Sequence, residues 1–259
     1  MALPQKPWPK VPIWLPIAGL VPTIYAFTLP PAKGFMTPNL ARILFFHLPG
    51  AFMVTGMPFL LLYFGLRALS SKEVKIKLGW DARNGAITEL MLLFSALTLV
   101  SGILFSKAQW GDWWSNDPRQ TSFLMVSLIL IGAVTLRSAL KDPERRASAS
   151  AGFSAFSSLP LFFLIYIYPN LPQVKSVSLH PTGTVRGGLT GPYWIGVLSM
   201  FAILLWLTVI LYRRRLWLDG RSIERAYETG YSDTDRVPVT GVVQPRAVHP
   251  VDGADEAGH

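Results

Sequence analysis

The chain has 259 residues, of which 51% are hydrophobic and only 15% are charged. Soluble domains carry about 25% charged residues, so this composition excludes an ordinary soluble domain and predicts a membrane protein. The formal charge of +9 does not indicate a nucleic-acid partner, because the basic residues cluster in alternate loops beside apolar runs.

Six apolar segments approach the length of about 20 residues that a membrane-spanning helix needs. They are residues 12–29, 45–66, 86–105, 122–136, 151–168 and 192–212. We interpret the first as a retained helix and not as a signal peptide, because its apolar part is long and no small-x-small cleavage site follows it. The predicted fold is therefore all-α, a polytopic integral membrane protein with six transmembrane helices within residues 1–221.

Lysine and arginine concentrate on one side of these segments. Of the 24 basic residues, 18 fall in the N-terminus, the second loop, the fourth loop and the tail, while each of the other three loops holds two. The positive-inside rule therefore predicts that both termini are cytoplasmic (N-in/C-in). The tail, residues 222–259, is rich in Gly, Pro and charge and is predicted to be a disordered cytoplasmic segment.

The loop between the third and fourth segments, about residues 106–121, combines flat aromatic surface with charge. It contains the run Trp110-Gly111-Asp112-Trp113-Trp114-Ser115-Asn116-Asp117-Pro118-Arg119-Gln120-Thr121. Indole faces can cover a porphyrin, and a guanidinium such as that of Arg119 can pair with a propionate. The alternative is an interfacial aromatic belt. Three Trp residues with Asp117 and Arg119 in one short loop favour a large planar ligand with acidic edges, such as haem.

Two of the four histidines fall on the same predicted side as this loop. His47 lies near the outer end of the second segment, and His180 lies in the last outer loop. The chain has no cysteine, so histidine is the expected soft ligand, and two neutral imidazoles can hold haem iron from opposite faces. The alternative for each is an interfacial histidine with an ordinary hydrogen bond, but the coincidence with the Trp-rich loop favours iron.

The pattern Trp110-Gly111-x-Trp113-Trp114-x-x-Asp117-x-Arg119-x-Thr121 resembles the WWD signature of haem-handling membrane proteins. Over about residues 42–212 the chain is most similar to the haem exporter protein C (CcmC) family of cytochrome c maturation. The family usually has a further Trp at the position of Asn116 and commonly Gln at that of Pro181. The resemblance implies that the iron is held axially by His47 and His180, and that the haem contacts are Trp110, Trp113, Trp114, Asp117 and Arg119.

The resemblance also implies a binding and transfer protein and not an enzyme. Such a protein takes up haem b transiently at the outer, periplasmic face of the inner (plasma) membrane and delivers it to the haem chaperone CcmE. The ABC-type partners CcmA and CcmB supply ATP hydrolysis. The sequence itself has no G-x-x-x-x-G-K-[ST] phosphate loop, which excludes an ATPase of that kind.

Three other functions stay open from the sequence. The first is the haem–apocytochrome c ligation branch of the WWD group, although short outer loops and only two outer histidines disfavour it. The second is a redox subunit that retains a bis-His haem b, although such haems are usually held by paired histidines on facing helices. The third is a scaffold subunit whose tryptophans form an aromatic belt.

Overall fold

The computed structural model describes Leu3, Pro12 and residues 14–180 and 182–228, with side chains as far as Arg225. The described part of the chain is helical and has no β-strand, which confirms the predicted all-α class. Its α-helices are α1 (Trp14–Thr28), α2 (Leu44–Ser70), α3 (Val74–Trp110), α4 (Pro118–Ala139), α5 (Pro143–Phe162), α6 (Pro172–Val177), α7 (Thr182–Gly188) and α8 (Gly191–Glu228). A 3-10 turn, Leu40–Ile43, precedes α2, and a π-helical turn, Phe163–Ile167, followed by a 3-10 turn, Tyr168–Asn170, continues α5.

Five helical stretches of the described residues are long and apolar enough to cross a membrane. They are Leu40–Ser70, Val74–Trp110, Pro118–Ala139, Pro143–Asn170 and Gly191–Arg225. This confirms a polytopic membrane protein and matches five of the six predicted segments. The remaining segment forms α1, which is apolar but shorter than these spans, so a count of six and the N-in/C-in orientation stay predictions.

Helix boundaries at the predicted inner side differ from those expected. α3 begins at Val74 and not near residue 86, and α5 begins at Pro143 and not near residue 151. Hydropathy ends a segment at its first charged residues, but a helix can continue when a buried charge finds a partner. Here Asp81 of α3 is buried and accepts a hydrogen bond from Arg137 Nη2 at 3.2 Å. For α3, this pair explains why the helix begins before the predicted apolar segment.

The last helix also extends beyond the predicted membrane domain. α8 continues to Glu228, so the first residues of the predicted tail are helical. Residues 229–259 lie outside the described part of the chain, and their predicted disorder stays a prediction.

The first half of α3 forms the centre of the bundle. Residues 78–88 are all buried, and α3 contacts α2, α4, α5 and α8. One end of the bundle, which we call the histidine end, carries the start of α2, the end of α3, α6 and α7. The opposite end, which we call the arginine end, carries the ion pair between Asp81 and Arg137.

Candidate haem site

A cavity of about 290 Å³ lies among α2, α3, α4 and residues 163–180 at the histidine end. Both outer histidines line it, together with one tryptophan and the charged pair of the loop. These predicted site residues are His47, His180, Trp110, Asp117 and Arg119. Apolar side chains complete much of the wall, among them Phe52, Phe105, Phe123, Leu164 and Ile165. The fold therefore collects into one cavity five residues that the sequence places in three separate segments.

The other two tryptophans of the loop do not line this cavity. The Trp113 side chain is 57% exposed, and Lys107 Nζ lies 5.7 Å from its ring centroid. Trp114 is half-buried outside the cavity wall. Trp110, in contrast, packs edge-to-face on Phe105 with ring centroids 5.6 Å apart. The three indoles therefore occupy different environments, and only Trp110 forms part of the cavity.

His47 lies in the first turn of α2 and reaches α3. Its Nδ1 is 3.0 Å from Ser101 Oγ, a contact that the sequence did not predict. Arg42, the nearest basic residue on the same segment, is not available to the cavity. Its guanidinium donates to the carbonyl oxygens of Ala26 and Leu29, at 3.0 and 2.8 Å. Arg42 therefore ties the end of α1 to the start of α2.

Asp117 is buried and joins the Trp-rich loop to the segment that carries His180. Its Oδ1 accepts the backbone N–H of Arg119 at 2.8 Å, which caps α4, as expected for Asp before a proline at the first helical position. Its Oδ2 accepts the Ser178 hydroxyl at 2.8 Å and the backbone N–H of Leu179 at 2.5 Å. The carboxylate thus holds the residue directly before His180.

His180 is positioned to be neutral. Burial lowers its pKa from 6.5 to about 4; the Arg119 and His47 charges act in the same direction, and Asp117 opposes them. The Nδ1 atom lies 3.1 Å from Thr182 Oγ1. Neutral imidazole is the form that ligates iron, so the ring is in the competent state at neutral pH. Pro181, where the family pattern differs, lies outside the described residues.

Arg119 lines the cavity with unused hydrogen-bonding capacity. Its Nη2 donates to the carbonyl oxygen of Pro169 at 3.0 Å. Its Nε is buried and has no hydrogen-bond partner among the described residues. Because a guanidinium offers five N–H donors in a fixed fork, Arg119 can still bind an anionic group.

The backbone gives a reason for Asn116, where the family pattern has Trp. Asn116 has a φ of +53°, the left-handed region that non-glycine residues seldom adopt. Asn is several-fold enriched in that region because its short polar side chain bonds locally. The departure therefore matches the turn that leads into Asp117.

A sequence model of the family described as "Heme exporter protein C" matches residues 3–226. The chain belongs to the heme exporter protein C family. The match includes His47, the Trp-rich loop and His180, which are the parts that form the cavity.

Individual heme exporter protein C sequences are similar over most of their length. The protein of that name from Paracoccus denitrificans is 27% identical over 209 residues, covering 73% of this chain and 80% of the relative. The one from Haemophilus influenzae is 25% identical over 187 residues, covering 69% and 72%. The Escherichia coli K12 protein is 29% identical over 148 residues, covering 54% and 56%.

Proposed function

We propose that the cavity at the histidine end binds haem, with His47 and His180 as axial ligands of the iron. The observation that carries this proposal is the presence of both imidazoles in the wall of one cavity. The two histidines are far apart in the sequence but line the same cavity. A role as an aromatic belt or a scaffold does not explain why the fold brings them together. The transient bis-His haem b expected from the sequence agrees with this ligand pair.

The residues present fit the chemistry of a porphyrin. The phenylalanines and Trp110 supply apolar surface for the macrocycle, and Arg119 has a free Nε for a propionate. A volume of about 290 Å³ is at the lower limit of ordinary ligand pockets, so part of the porphyrin remains outside the cavity. Trp113 and Trp114 are the proposed contacts for that outer part. Partial enclosure suits a protein that releases its ligand.

The proposed role is transfer. Family membership supports haem handling for c-type cytochrome maturation. Within that role, we propose that the chain presents haem at the periplasmic side of the inner membrane to the chaperone CcmE. CcmA and CcmB are the proposed exporter partners, with hydrolysis of ATP on the partner side. The proposed role of this chain is to bind the haem and pass it on, which would require His47 and His180 to release the iron to the acceptor. The bias of basic residues away from the site supports an outward-facing cavity.

Visible spectroscopy of the detergent-purified protein with added haem tests the ligand assignment. The expected result is a six-coordinate, low-spin haem whose spectrum changes in both His47→Ala and His180→Ala. A His249→Ala variant, in which a tail histidine is removed, is the matched control and leaves the spectrum unchanged. Absence of haem from the wild type, or unaltered spectra in the two site variants, contradicts the proposal.

A second assay separates transfer from permanent retention. Haem-loaded protein is mixed with purified CcmE, and the two are separated and assayed for haem. Movement of haem to the chaperone supports the transfer role, whereas full retention favours the redox-subunit alternative.

A further inference from the structure

The His47 imidazole lies against two consecutive residues of α3, Ser101 and Gly102. The ring Nδ1 lies 3.0 Å from Ser101 Oγ. A Cβ atom placed on Gly102 would lie 3.3 Å from the ring Cε1, which is tighter than most such contacts. The absence of a side chain at Gly102 therefore lets the ring lie close to α3, where the Ser101 hydroxyl can reach it.

The hydrogen bonds of Ser101 favour one of the two tautomers of the His47 ring. A serine hydroxyl has one proton to donate and lone pairs to accept. Ser101 Oγ lies 2.7 Å from the carbonyl oxygen of Leu97 and 3.1 Å from that of Thr98, and both of these atoms only accept. Donation of the hydroxyl proton to the Leu97 carbonyl, the shorter of these two contacts, leaves the lone pairs of the Ser101 oxygen for an N–H at His47 Nδ1. In this arrangement the contact with Leu97 and the contact with His47 are both hydrogen bonds.

We propose that Ser101 is a positioning residue for His47: its hydroxyl oxygen accepts a hydrogen bond from the Nδ1–H group, fixes the tautomer and leaves the Nε2 lone pair as the iron ligand. Gly102 provides the space for this arrangement. The inference rests on the proposed haem-binding function and adds two α3 residues to it. Neither residue belongs to the Trp-rich loop or to the segments that carry the histidines.

A hydrogen bond from His47 Nδ1–H to Ser101 affects how strongly the other ring nitrogen would bind iron. Hydrogen bonding at the second nitrogen orients a ligating imidazole and raises its basicity, and loss of such a partner typically lowers metal affinity by about 10- to 100-fold. Ser101→Ala is therefore expected to weaken haem binding by about tenfold or more. It also shifts the haem midpoint potential upward, because a less basic ligand stabilises the oxidised iron less. Ser101→Thr keeps a hydroxyl and restores both values towards wild type.

The experiment compares Ser101→Ala and Ser101→Thr with a matched control on the same helix. Ser95→Ala removes a buried hydrogen bond, 2.7 Å from Ser95 Oγ to Ser127 Oγ, at a position outside the cavity wall. Haem titration and the midpoint potential are measured for all three in detergent. Weak binding and a raised potential in Ser101→Ala alone support the inference. Wild-type values in Ser101→Ala, or equal changes in Ser95→Ala, overturn it.

A measurement without haem tests the contact separately. Nitrogen-15 NMR of the His47 ring in the haem-free, wild-type protein is expected to show protonation at Nδ1 and a free Nε2. The opposite tautomer overturns the role of Ser101 and does not depend on any variant folding. Failure of the proposed haem-binding function is distinguishable from failure of this inference. If the function is wrong, His47→Ala leaves the haem spectrum unchanged, and the tautomer seen by NMR does not alter that result.

Discussion

The Asp117 side chain accepts three hydrogen bonds, and two of them connect the Trp-rich loop to the segment before His180. One oxygen caps α4, and the other accepts from Ser178 and Leu179. A buried carboxylate with these partners acts through the backbone and does not need to touch the haem. At the residue scale, Asp117 therefore aligns one of the two proposed iron ligands.

Asp117→Asn is expected to weaken coordination by His180. In either orientation of the amide, its NH2 faces a backbone N–H, that of Arg119 or that of Leu179, and one partly buried donor is left unsatisfied at a cost of about 1–3 kcal/mol. Haem affinity falls by about tenfold or more, and the spectrum approaches that of His180→Ala. Asp112→Asn, a change at an exposed carboxylate of the same loop, is the control and leaves both unchanged. A wild-type spectrum in Asp117→Asn would falsify this role.

The lowered pKa of His180 gives a prediction for the haem-free protein. Because the folded-state value is about 4 and the ordinary value is 6.5, the ring stays neutral between about pH 5.5 and 7.5. The unfolded chain binds this proton more readily, so the contribution of His180 to stability is lost as the pH falls from 6.5 towards 4. NMR titration of the ring checks this, and a midpoint between pH 6 and 7 contradicts it.

At the scale of elements, α3 connects the two ends of the molecule. Near its start, Asp81 pairs with Arg137 of α4 and lies 3.7 Å from Arg146 Nε of α5. Gly85 makes room for this pair, since a Cβ there would lie 2.5 Å from Arg137 Nη2. Near its end, the same helix supports His47 through Ser101. One helix thus anchors the bundle at the arginine end and contacts the proposed iron ligand His47 at the histidine end.

Asp81→Ala is expected to destabilise the bundle strongly. It leaves Arg137, whose side chain is 12% exposed, without its main partner, and breaking a buried pair costs about 3–5 kcal/mol. Glu144→Gln is the control, because the pair of Glu144 with Lys77 spans 3.7 Å near the surface and contributes less than about 1 kcal/mol. Unfolding in a detergent titration measures both. Equal stability of the two variants contradicts the buried-pair interpretation.

At the scale of the whole molecule, the histidine end and the arginine end lie at opposite ends of the long apolar helices. We therefore expect them on opposite sides of the membrane. The histidine end carries the cavity, and the arginine end carries the excess of basic residues. The positive-inside rule predicts that the arginine end faces the cytoplasm, and this orientation stays a prediction.

Single-cysteine labelling tests this orientation, and the chain is suited to it because it contains no cysteine. Asp112→Cys, exposed at the histidine end, is expected to react with a membrane-impermeant maleimide in spheroplasts. Lys141→Cys, exposed at the arginine end, reacts only after the membrane is permeabilised. The reverse pattern shows that the predicted orientation is inverted.

The sequence by itself determined the membrane class, the approximate positions of the five long spans and the residue types of the candidate site. Those features depend on local composition: lipid selects long apolar runs, and few residue types bind iron or stack on a porphyrin. Helix ends at the arginine side could not be predicted in this way, because Asp81 is stabilised by residues from other helices.

Only the tertiary structure decided how the site is arranged. Trp110 faces the cavity while Trp113 and Trp114 do not, although all three share one motif. Ser101 and Gly102 carry no recognisable signal within an apolar span, and their importance arises from the packing of α2 on α3. Contacts between segments far apart in sequence depend on three-dimensional packing, and that packing is what turns two separate histidines into a candidate ligand pair.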